Sequence, residues 1–425
     1  MATLKKFLSN DRDITKIKGI RFCMMSPEEI LARSAVEITN ADTYLGGNTP
    51  VPGGLFDPKM GATEHVPKCT TCHGDYSVCP NHFGHLELAR PMFAPTYFGY
   101  LKKLLECVCW NCSSILLSKN NDKHVFPPAT MASHRRFAMV YAQCHKMQSA
   151  TKLPTCPACS AVQPKWENKS TGTINFAFVK FTNSHGDSEV HYADTVLIVL
   201  KKITKESAAL MGFDSVYNSP EWLVWTRMVV PPPSIRPSVK YGTGSTGEDD
   251  ITIMLKKIVN DNKDLAKEMA RPHLDGSSRT LVDEKTYALQ WDLAALVDNE
   301  QSTISPIKQQ RSGKVLKTIF NRIGGKTGRI RANLMGKRVD HSGRTVASSD
   351  PYLSINEVGV PYKIAMNLTI PETVTKYNIE RLREMVANGP AIHPGAKYVQ
   401  NKSGSTFAIH PSKQIEIDIG DIVYR

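Results

Sequence analysis

The spacing of apolar positions changes along the chain. Residues 251–270 carry Ile251, Met254, Leu255, Ile258, Val259, Leu265 and Met269 at helical spacing, which predicts an amphipathic helix. Residues 281–298 repeat the pattern with Leu281, Leu289, Leu293, Leu296 and Val297. The intervening RPHLDGSSR reads as a turn, so the two helices are expected to form an antiparallel hairpin. Two placements stay open for it: burial in a core, or projection into solvent, which the charged outer faces favour. Residues 173–204 cluster β-branched and aromatic side chains and predict strands, and TVLIVL at 195–200 suits a buried one. Near the start, IKGIRFCMM predicts a strand. Ser26-Pro27-Glu28-Glu29 after it predicts a helix start, with serine as N-cap and proline in the first helical position. SINEVGVPYKIAMNLTIPE and FAIHPSKQIEIDIGDIVYR predict strands, separated by a helix over Asn378–Ala387 that Asn-Gly-Pro stops.

Breakers divide these segments. Residues 42–68 are rich in Gly and Pro and read as loop. The prolines of VVPPPSIRPS, Val229 to Ser238, can continue neither a helix nor a central strand and predict a rigid connector. YGTGSTGEDD, which follows, has the composition of a flexible divider or lid. No internal repeat is present. At 425 residues the chain is expected to form several domains. No apolar run approaches the roughly 18 residues that span a bilayer. The opening MATLKKFLSNDRD lacks the apolar stretch of a secretory signal. The expectation is a soluble intracellular protein with no membrane partner.

Charge adds a partner to this picture. The net charge is +13. From Gln301 to Thr345 there are eleven Lys and Arg against the single acid Asp340, so the other 380 residues contribute only +3. A solvated basic face is normally laced with acids; concentration of this kind is the footprint of a polyphosphate partner. Acidic lipid is the rival, but the segment lacks a bulky apolar face to enter headgroups.

The ten cysteines bring a second chemistry. Cys69, Cys72, Cys79 and His82 are spaced C-x2-C-x6-C-x2-H, and Cys109 and Cys112 in CWNC are matched by Cys156 and Cys159 in CPAC. Short hooks that each present two soft ligands suit tetrahedral, closed, structural zinc sites; disulfides are disfavoured in a reducing compartment. Cys144 is an alternative to Cys156 as a ligand, whereas Cys23 and Cys107 are expected to be packed thiols. His73 and His85 flank the first group, but His82 has the better spacing.

Within the basic stretch, GGKTG suggests a phosphate loop, but G-x-x-x-x-G-K-[ST] needs glycine where Phe320 stands. Backbone contact along a nucleic-acid strand accounts better for it. Gly324, Gly325 and Gly328 would let the main chain approach, and cations two or three residues apart would follow successive phosphates without reading bases.

GRIRANLMGKRVDHSGRTVASSDP resembles the switch segment of the largest subunit of multisubunit DNA-directed RNA polymerases, in character the RNA polymerase II, archaeal and large-DNA-virus group. CTTC…CPNHFGHLELARPMF is similar to that family's clamp zinc motif, with Asn81 where glycine is usual. VVPPPSIRPS, GEDDIT and VGVPYKIAMNLTIPETVTKYNIERLREMVANGPAIHPGAKYV resemble, in the same order, the connector before the lid, the start of the clamp coiled coil and the opening of the catalytic barrel.

The resemblance implies an α+β multidomain fold: a zinc-stapled clamp with an antiparallel helical hairpin, then the start of a double-psi β-barrel. The implied divisions are a clamp core with two zinc sites (1–238), a lid (239–250), a coiled-coil hairpin (251–298), a rudder and basic switch segment (299–345) and the first part of the barrel (346–425). It implies that Lys326, Arg329, Arg331, Lys337, Arg338 and Arg344 hold the template strand and that Lys314 lies in the rudder. Gly324 and Phe320 stand where relatives often carry a cation. Implied partners are template DNA, the RNA–DNA hybrid, the remainder of the largest subunit, the second-largest and smaller subunits, and initiation and elongation factors at the coiled coil. The location would be the nucleus for a cellular eukaryotic protein and the cytoplasm or virion for an archaeal or viral one.

Two-metal phosphodiester synthesis needs clustered carboxylates for Mg2+, which this family places in an N-A-D-F-D-G-D loop. No such loop occurs in this sequence. Glu248-Asp249-Asp250 and the set Glu416, Asp418 and Asp421 are tempting substitutes, and both are expected to be solvent-facing acids. The expectation is a split or truncated subunit, inactive alone, with two structural Zn2+ and with Mg2+ only in the assembled enzyme. The alternative is a stand-alone zinc-containing DNA-binding or regulatory protein on a clamp fold.

Overall fold

The computed structural model describes residues 23–45, 49–63, 66–118, 125–148, 154–166, 178–182, 187–240, 246–271, 276–300, 306–309, 313–340, 342–410 and 415–425. Two compact units divide the chain, Met1–Gly328 and Arg329–Arg425.

The first unit is built on a three-stranded sheet. Its central strand Phe83–Phe93 pairs parallel with Ser34–Glu37 and antiparallel with Val224–Val230. The expected N-terminal signal forms a helix over Pro27–Arg33, with the Ser26 hydroxyl accepting from the Glu29 amide at 3.0 Å. Most of the strand expected in IKGIRFCMM lies outside the described residues, and Cys23–Ser26 is irregular.

The central strand carries a wide irregularity. Glu87 faces Arg227, but the next partners in register are Met92 and Trp225. The central strand's parallel partner also ends opposite His85, so backbone groups farther along the strand need partners. The helical pair Asp250–Ala270 and Gly276–Val297 supplies them through two amides. Asn262 accepts from the Ala89 amide and donates to the Glu87 carbonyl, both at 2.8 Å. Gln290 accepts from the Phe93 amide and donates to the Phe93 carbonyl, both at 2.9 Å. Asn262→Leu strands two backbone groups at this packed interface, so it is expected to cost about 2–4 kcal/mol. A urea midpoint unchanged from wild type would contradict this role.

The hairpin thus falls between the two open placements. Its root is core: Met254, Leu255, Ile258, Val259, Leu289 and Leu293 are buried with Met60, Leu86, Met228 and Val230. Its far end is not, with Met269 and Leu281 exposed. Lys257 donates to Asp292 at 2.6 Å across the pair, at similar distances from the connection, as antiparallel helices require. Burial, then the neighbouring Asp261, pushes Asp292 up to about 7 despite Lys257.

A second core holds Phe93, Leu101, Leu104, Cys109, Cys156, Trp166, Phe181 and Leu200. Strands Val179–Thr182 and Ser188–His191 match the expectation, but TVLIVL is not a strand: Ala193–Lys201 is a helix. Ala193, Val196, Leu197 and Leu200 fall on its buried side. A short continuous apolar run has no period that separates the two states.

The proline connector forms a short turn over Pro233–Ile235 and seats Arg236 in the core. That guanidinium donates to the carbonyls of Pro231 and Leu55 and to the Thr252 hydroxyl, and lies over the Phe56 ring. Val239–Lys240 pairs with Thr246–Gly247; residues 241–245 of the expected lid lie outside the described residues.

In the second unit, the antiparallel strands Pro371–Thr373, Ile422–Tyr424, Tyr398–Gln400 and Thr406–Ala408 are neighbours in that order. Helix Ile379–Asn388 buries Leu382, Met385 and Val386 in the core with Val399 and Val423, and ends at Gly389 with φ +69°. Most of the expected strand over 354–372 is absent: Tyr362–Asn367 is a helix and only Pro371–Thr373 pairs.

Candidate metal centres and candidate nucleic-acid interface

Three of the four hooks share one backbone shape. The amides of His73, Ser113 and Ser160 donate back to the carbonyls of Cys69, Cys109 and Cys156, each at 2.9 Å. His73, Ser113 and Ser160 each have φ +59°. The turn aims both sulfurs of a C-x2-C at one point and directs amides at them: Thr71 N–H donates to Cys69 Sγ and Ala158 N–H to Cys156 Sγ, both at 3.4 Å. The fourth hook places Asn81 at φ +64°. This accounts for the departure from glycine, because asparagine is among the few side chains that tolerate the left-handed region.

Cys69, Cys72, Cys79 and His82 converge, as do Cys109, Cys112, Cys156 and Cys159, with all ligand atoms in each group within 4.8 Å of one another. Cys72 and Cys79 Sγ are 3.5 Å apart; Cys109–Cys159 and Cys112–Cys156 are each 3.6 Å apart. Those separations are too long for a disulfide. They approach the edge of about 3.8 Å that a tetrahedron with zinc–sulfur bonds of about 2.3 Å requires. The donor sets therefore fit a tetrahedral soft-metal site. Buried Gln163 supports the second group, donating to Cys109 Sγ at 3.2 Å and accepting from the Trp110 amide at 3.1 Å. Burial opposes ionisation of Cys112, but hydrogen bonds from Ser114, Cys159 and Cys156 outweigh it and bring the thiol down to about 6. Burial pushes Cys156 up to about 12. One thiol ionises readily while a neighbour holds its proton, so a metal must displace protons to gain four ligands.

Cys144 does not replace Cys156. It is buried against Cys107, whose thiol is pushed far up by that hydrogen bond and by burial. Helix Ser133–Gln148 carries Cys144 into the core. Cys23 is exposed rather than packed. His85 is bound to the Ser34 hydroxyl at 2.7 Å.

The first set of acids expected to face solvent has partners instead. Asp249 caps helix Asp250–Ala270 and receives two hydrogen bonds from Arg322, each 2.6 Å. Asp250 accepts from the Lys317 amide, and Glu248 pairs with Lys256 and the Thr43 hydroxyl. In the second set, Asp421 is buried and accepts from the amides of Lys402 and Asp418, whereas Glu416 and Asp418 are exposed as expected. Among the described residues, neither set brings three carboxylates together.

The basic segment runs through the division between the two units. In the first, Lys314 is exposed beside the bridge between Lys308 and Val315, and Lys326 is exposed in the turn after helix Ile319–Ile323. Gly325, with φ +77° and open space around it, suits the expected freedom. Gly328 does not: a Cβ there would lie 2.0 Å from the Gly324 carbonyl oxygen, so its glycine serves the chain's own turn. In the second unit, Ile330–Met335 coils into a wide helical turn. Residues two apart on such a turn, like Arg329 and Arg331, leave it in different directions rather than in line. Wide turns of this kind occur frequently at functional sites.

Lys326, Arg329, Arg331, Lys337, Arg338 and Arg344 are all exposed. Among the described residues, no acidic side chain pairs with any of them. Five arginines elsewhere differ from them: Arg90, Arg227, Arg322, Arg381 and Arg425 each meet a carboxylate. Apolar exposure follows the segment, with Val346, Tyr352, Ile355 and Val358 more than four-fifths exposed. Among the described residues, no helix is long and apolar enough to cross a membrane.

Similarity to known proteins extends along nearly the whole sequence. The family models for RNA polymerase Rpb1 domain 1 and domain 2 match residues 14–334 and 336–425. The chain is 35% identical over 430 residues to the DNA-directed RNA polymerase II subunit RPB1 of Euplotoides octocarinatus, covering 99% of this chain and 88% of that one. It is 37% identical over 398 residues to the DNA-directed RNA polymerase subunit Rpo1N of Thermococcus celer, covering 92% of this chain and 43% of that one. The corresponding Rpo1N of Methanocaldococcus jannaschii is 37% identical over 392 residues, covering 91% and 28%. The chain thus spans less than half the length of these archaeal relatives.

Proposed function

The chain belongs to the largest-subunit (Rpb1) family of DNA-directed RNA polymerases, as an N-terminal portion of that subunit, and from this premise we propose that it holds template DNA and the RNA–DNA hybrid during transcription. One observation carries the reading: the six exposed cations from Lys326 to Arg344 have no carboxylate partner among the described residues, while Arg90, Arg227, Arg322, Arg381 and Arg425 each meet one. Unpaired Lys and Arg displace counterions from phosphates and so bind without regard to sequence. The family matches run through nearly the whole chain rather than one module, which favours this reading over a stand-alone regulatory protein.

In this reading residues 1–238 are the clamp core, 239–250 the lid, 251–298 the coiled coil that receives initiation and elongation factors, 299–345 the rudder and switch, and 346–425 the opening of the double-psi barrel. Both cysteine groups hold structural Zn2+, one through Cys69, Cys72, Cys79 and His82 and the other through Cys109, Cys112, Cys156 and Cys159. Four protein ligands leave no open position for a reacting water. Lys314 acts at the rudder; Lys326, Arg329, Arg331, Lys337, Arg338 and Arg344 act on the template. Nucleotidyl transfer belongs to the assembly, where carboxylates outside these 425 residues bind Mg2+. The exposed apolar side chains from Val346 to Val358 support a covering partner, which we assign to other polymerase polypeptides. The complex works inside the cell: in the nucleus, or in the cytoplasm or virion, according to its source.

Purification from the native source tests the assignment. The chain is expected to come with a polypeptide bearing the aspartate loop, and by itself to bind nucleic acid of any sequence and incorporate no nucleotide. Isolation as a free protein that prefers one DNA sequence would contradict it.

A further inference from the structure

Three features meet at the root of the hairpin. Asp249 lies at the N-terminus of helix Asp250–Ala270, where its Oδ2 accepts from the Ile251 amide at 3.1 Å. Both of its oxygens also accept from Arg322 Nη2, while Arg322 Nη1 donates to the Ile235 carbonyl at 2.7 Å. One guanidinium therefore ties together the hairpin's first helix, the proline connector and helix Ile319–Ile323. The neighbouring Asp250 accepts from the Lys317 amide at 2.9 Å, so the same helix end is held at a second point. Thr318 and Asn321 close a reciprocal cap on Ile319–Ile323. Asn321 also donates to Glu300 at 3.2 Å, just beyond the hairpin's second helix. Arg322 and Asp249 are largely shielded, with side-chain exposures of 25% and 17%. Arg322 is thus engaged internally, unlike Lys326, which is exposed in the turn that follows.

We propose that Arg322 and Asp249 are positioning residues: a latch that fixes where the template-binding segment leaves the hairpin root, so that displacement of the hairpin reaches that segment. The latch rests on the reading of the segment as template-binding. It gives Asp249 and Asp250 a role that neither metal binding nor solvation supplies. With Nη2 on the carboxylate and Nη1 on the Ile235 carbonyl, the planar guanidinium fixes orientation as well as distance, and a lysine ammonium cannot span both acceptors in that geometry.

The test uses the assembled polymerase bearing Asp249→Asn, Arg322→Gln, Arg322→Lys or the Asn/Gln double variant. Asparagine still caps a helix, so Asp249→Asn removes the charged pair without removing the cap. Each single variant is expected to accelerate amide exchange over 317–323 and to shorten template retention at fixed salt by about tenfold. The double variant should add little, and the salt slope should not move. Arg322→Lys should fail to restore retention. A fall of about one in the slope for Arg322→Gln, with Asp249→Asn unchanged, would make Arg322 a phosphate contact and overturn the latch. Unaltered exchange over 317–323 in both single variants would also overturn it. Arg331→Ala in parallel separates the two ideas: an unmoved slope there counts against template binding, whereas exchange over 317–323 reports on the latch alone.

Discussion

Dialysis of the protein against a strong chelator is expected to strip exchange protection from residues 69–82 and from both hooks at 109–112 and 156–159, while helices Asp250–Ala270 and Gly276–Val297 stay protected. The size of the effect follows from what the ion holds. Cys112 and Cys156 lie 44 residues apart in sequence and 3.6 Å apart in space. The other contacts that support this closure among the described residues are Gln163, which joins the two hooks, and the packing of Trp110 on Trp166 and Phe181; the bridges Val108 with Ile115 and Thr155 with Val162 are each local to one hook. Binding of structural zinc is worth about 10–16 kcal/mol in small peptides, far more than these contacts supply. The loss should spread, because Cys109 and Cys156 share a core with Trp166, Val179 and Phe181. The hairpin root belongs to the other core, which contains no cysteine. Exchange mass spectrometry with and without chelator reads this directly. Protection unchanged at Cys109–Ser114 would contradict a structural metal. Acid should mimic the chelator, since the ligands bind as thiolates and protons compete for them.

The parts of the molecule that can be read from sequence are those whose signal is local. Each cysteine hook is legible because its spacing folds on itself, and CWNC and CPAC find each other by likeness alone. The helix start at Ser26 is legible for the same reason. The hairpin shows in its helical period, but the buried Ile258 and the exposed Met269 look alike until the sheet beneath the root is known. TVLIVL fails because a fully apolar run carries no period, and Tyr362–Asn367 fails because a six-residue helix is shorter than the window in which a period can be seen.

What stays hidden is polar and long-range. Asn262 and Gln290 look like ordinary surface amides, yet they complete the hydrogen bonds of a strand whose residues lie 173 and 197 positions away in sequence. Nothing local distinguishes Arg322, which is bound to Asp249, from Arg331, which has no acidic partner among the described residues. Gly328 shows the opposite error: glycine in a basic stretch suggests approach to a ligand, but the close neighbours are the chain's own carbonyls. Charge concentration is the part of the interface that sequence does convey, because it needs no geometry.

The salt dependence of template binding by the assembled polymerase therefore tests the central claim most directly. Replacing Arg329, Arg331, Lys337 and Arg338 together by alanine removes four exposed cations that have no carboxylate partner among the described residues, so the fold itself should lose little. Each phosphate contact contributes about 0.7–0.9 to the slope of log K against log salt concentration. The variant is expected to bind more weakly and with a slope shallower by about 3, so that wild type loses about two decades more affinity than the variant between roughly 50 and 200 mM salt. Weaker binding together with the shallower slope is the predicted result. A slope equal to that of wild type would mean that these cations touch no phosphate, and the basic segment would not be a template grip.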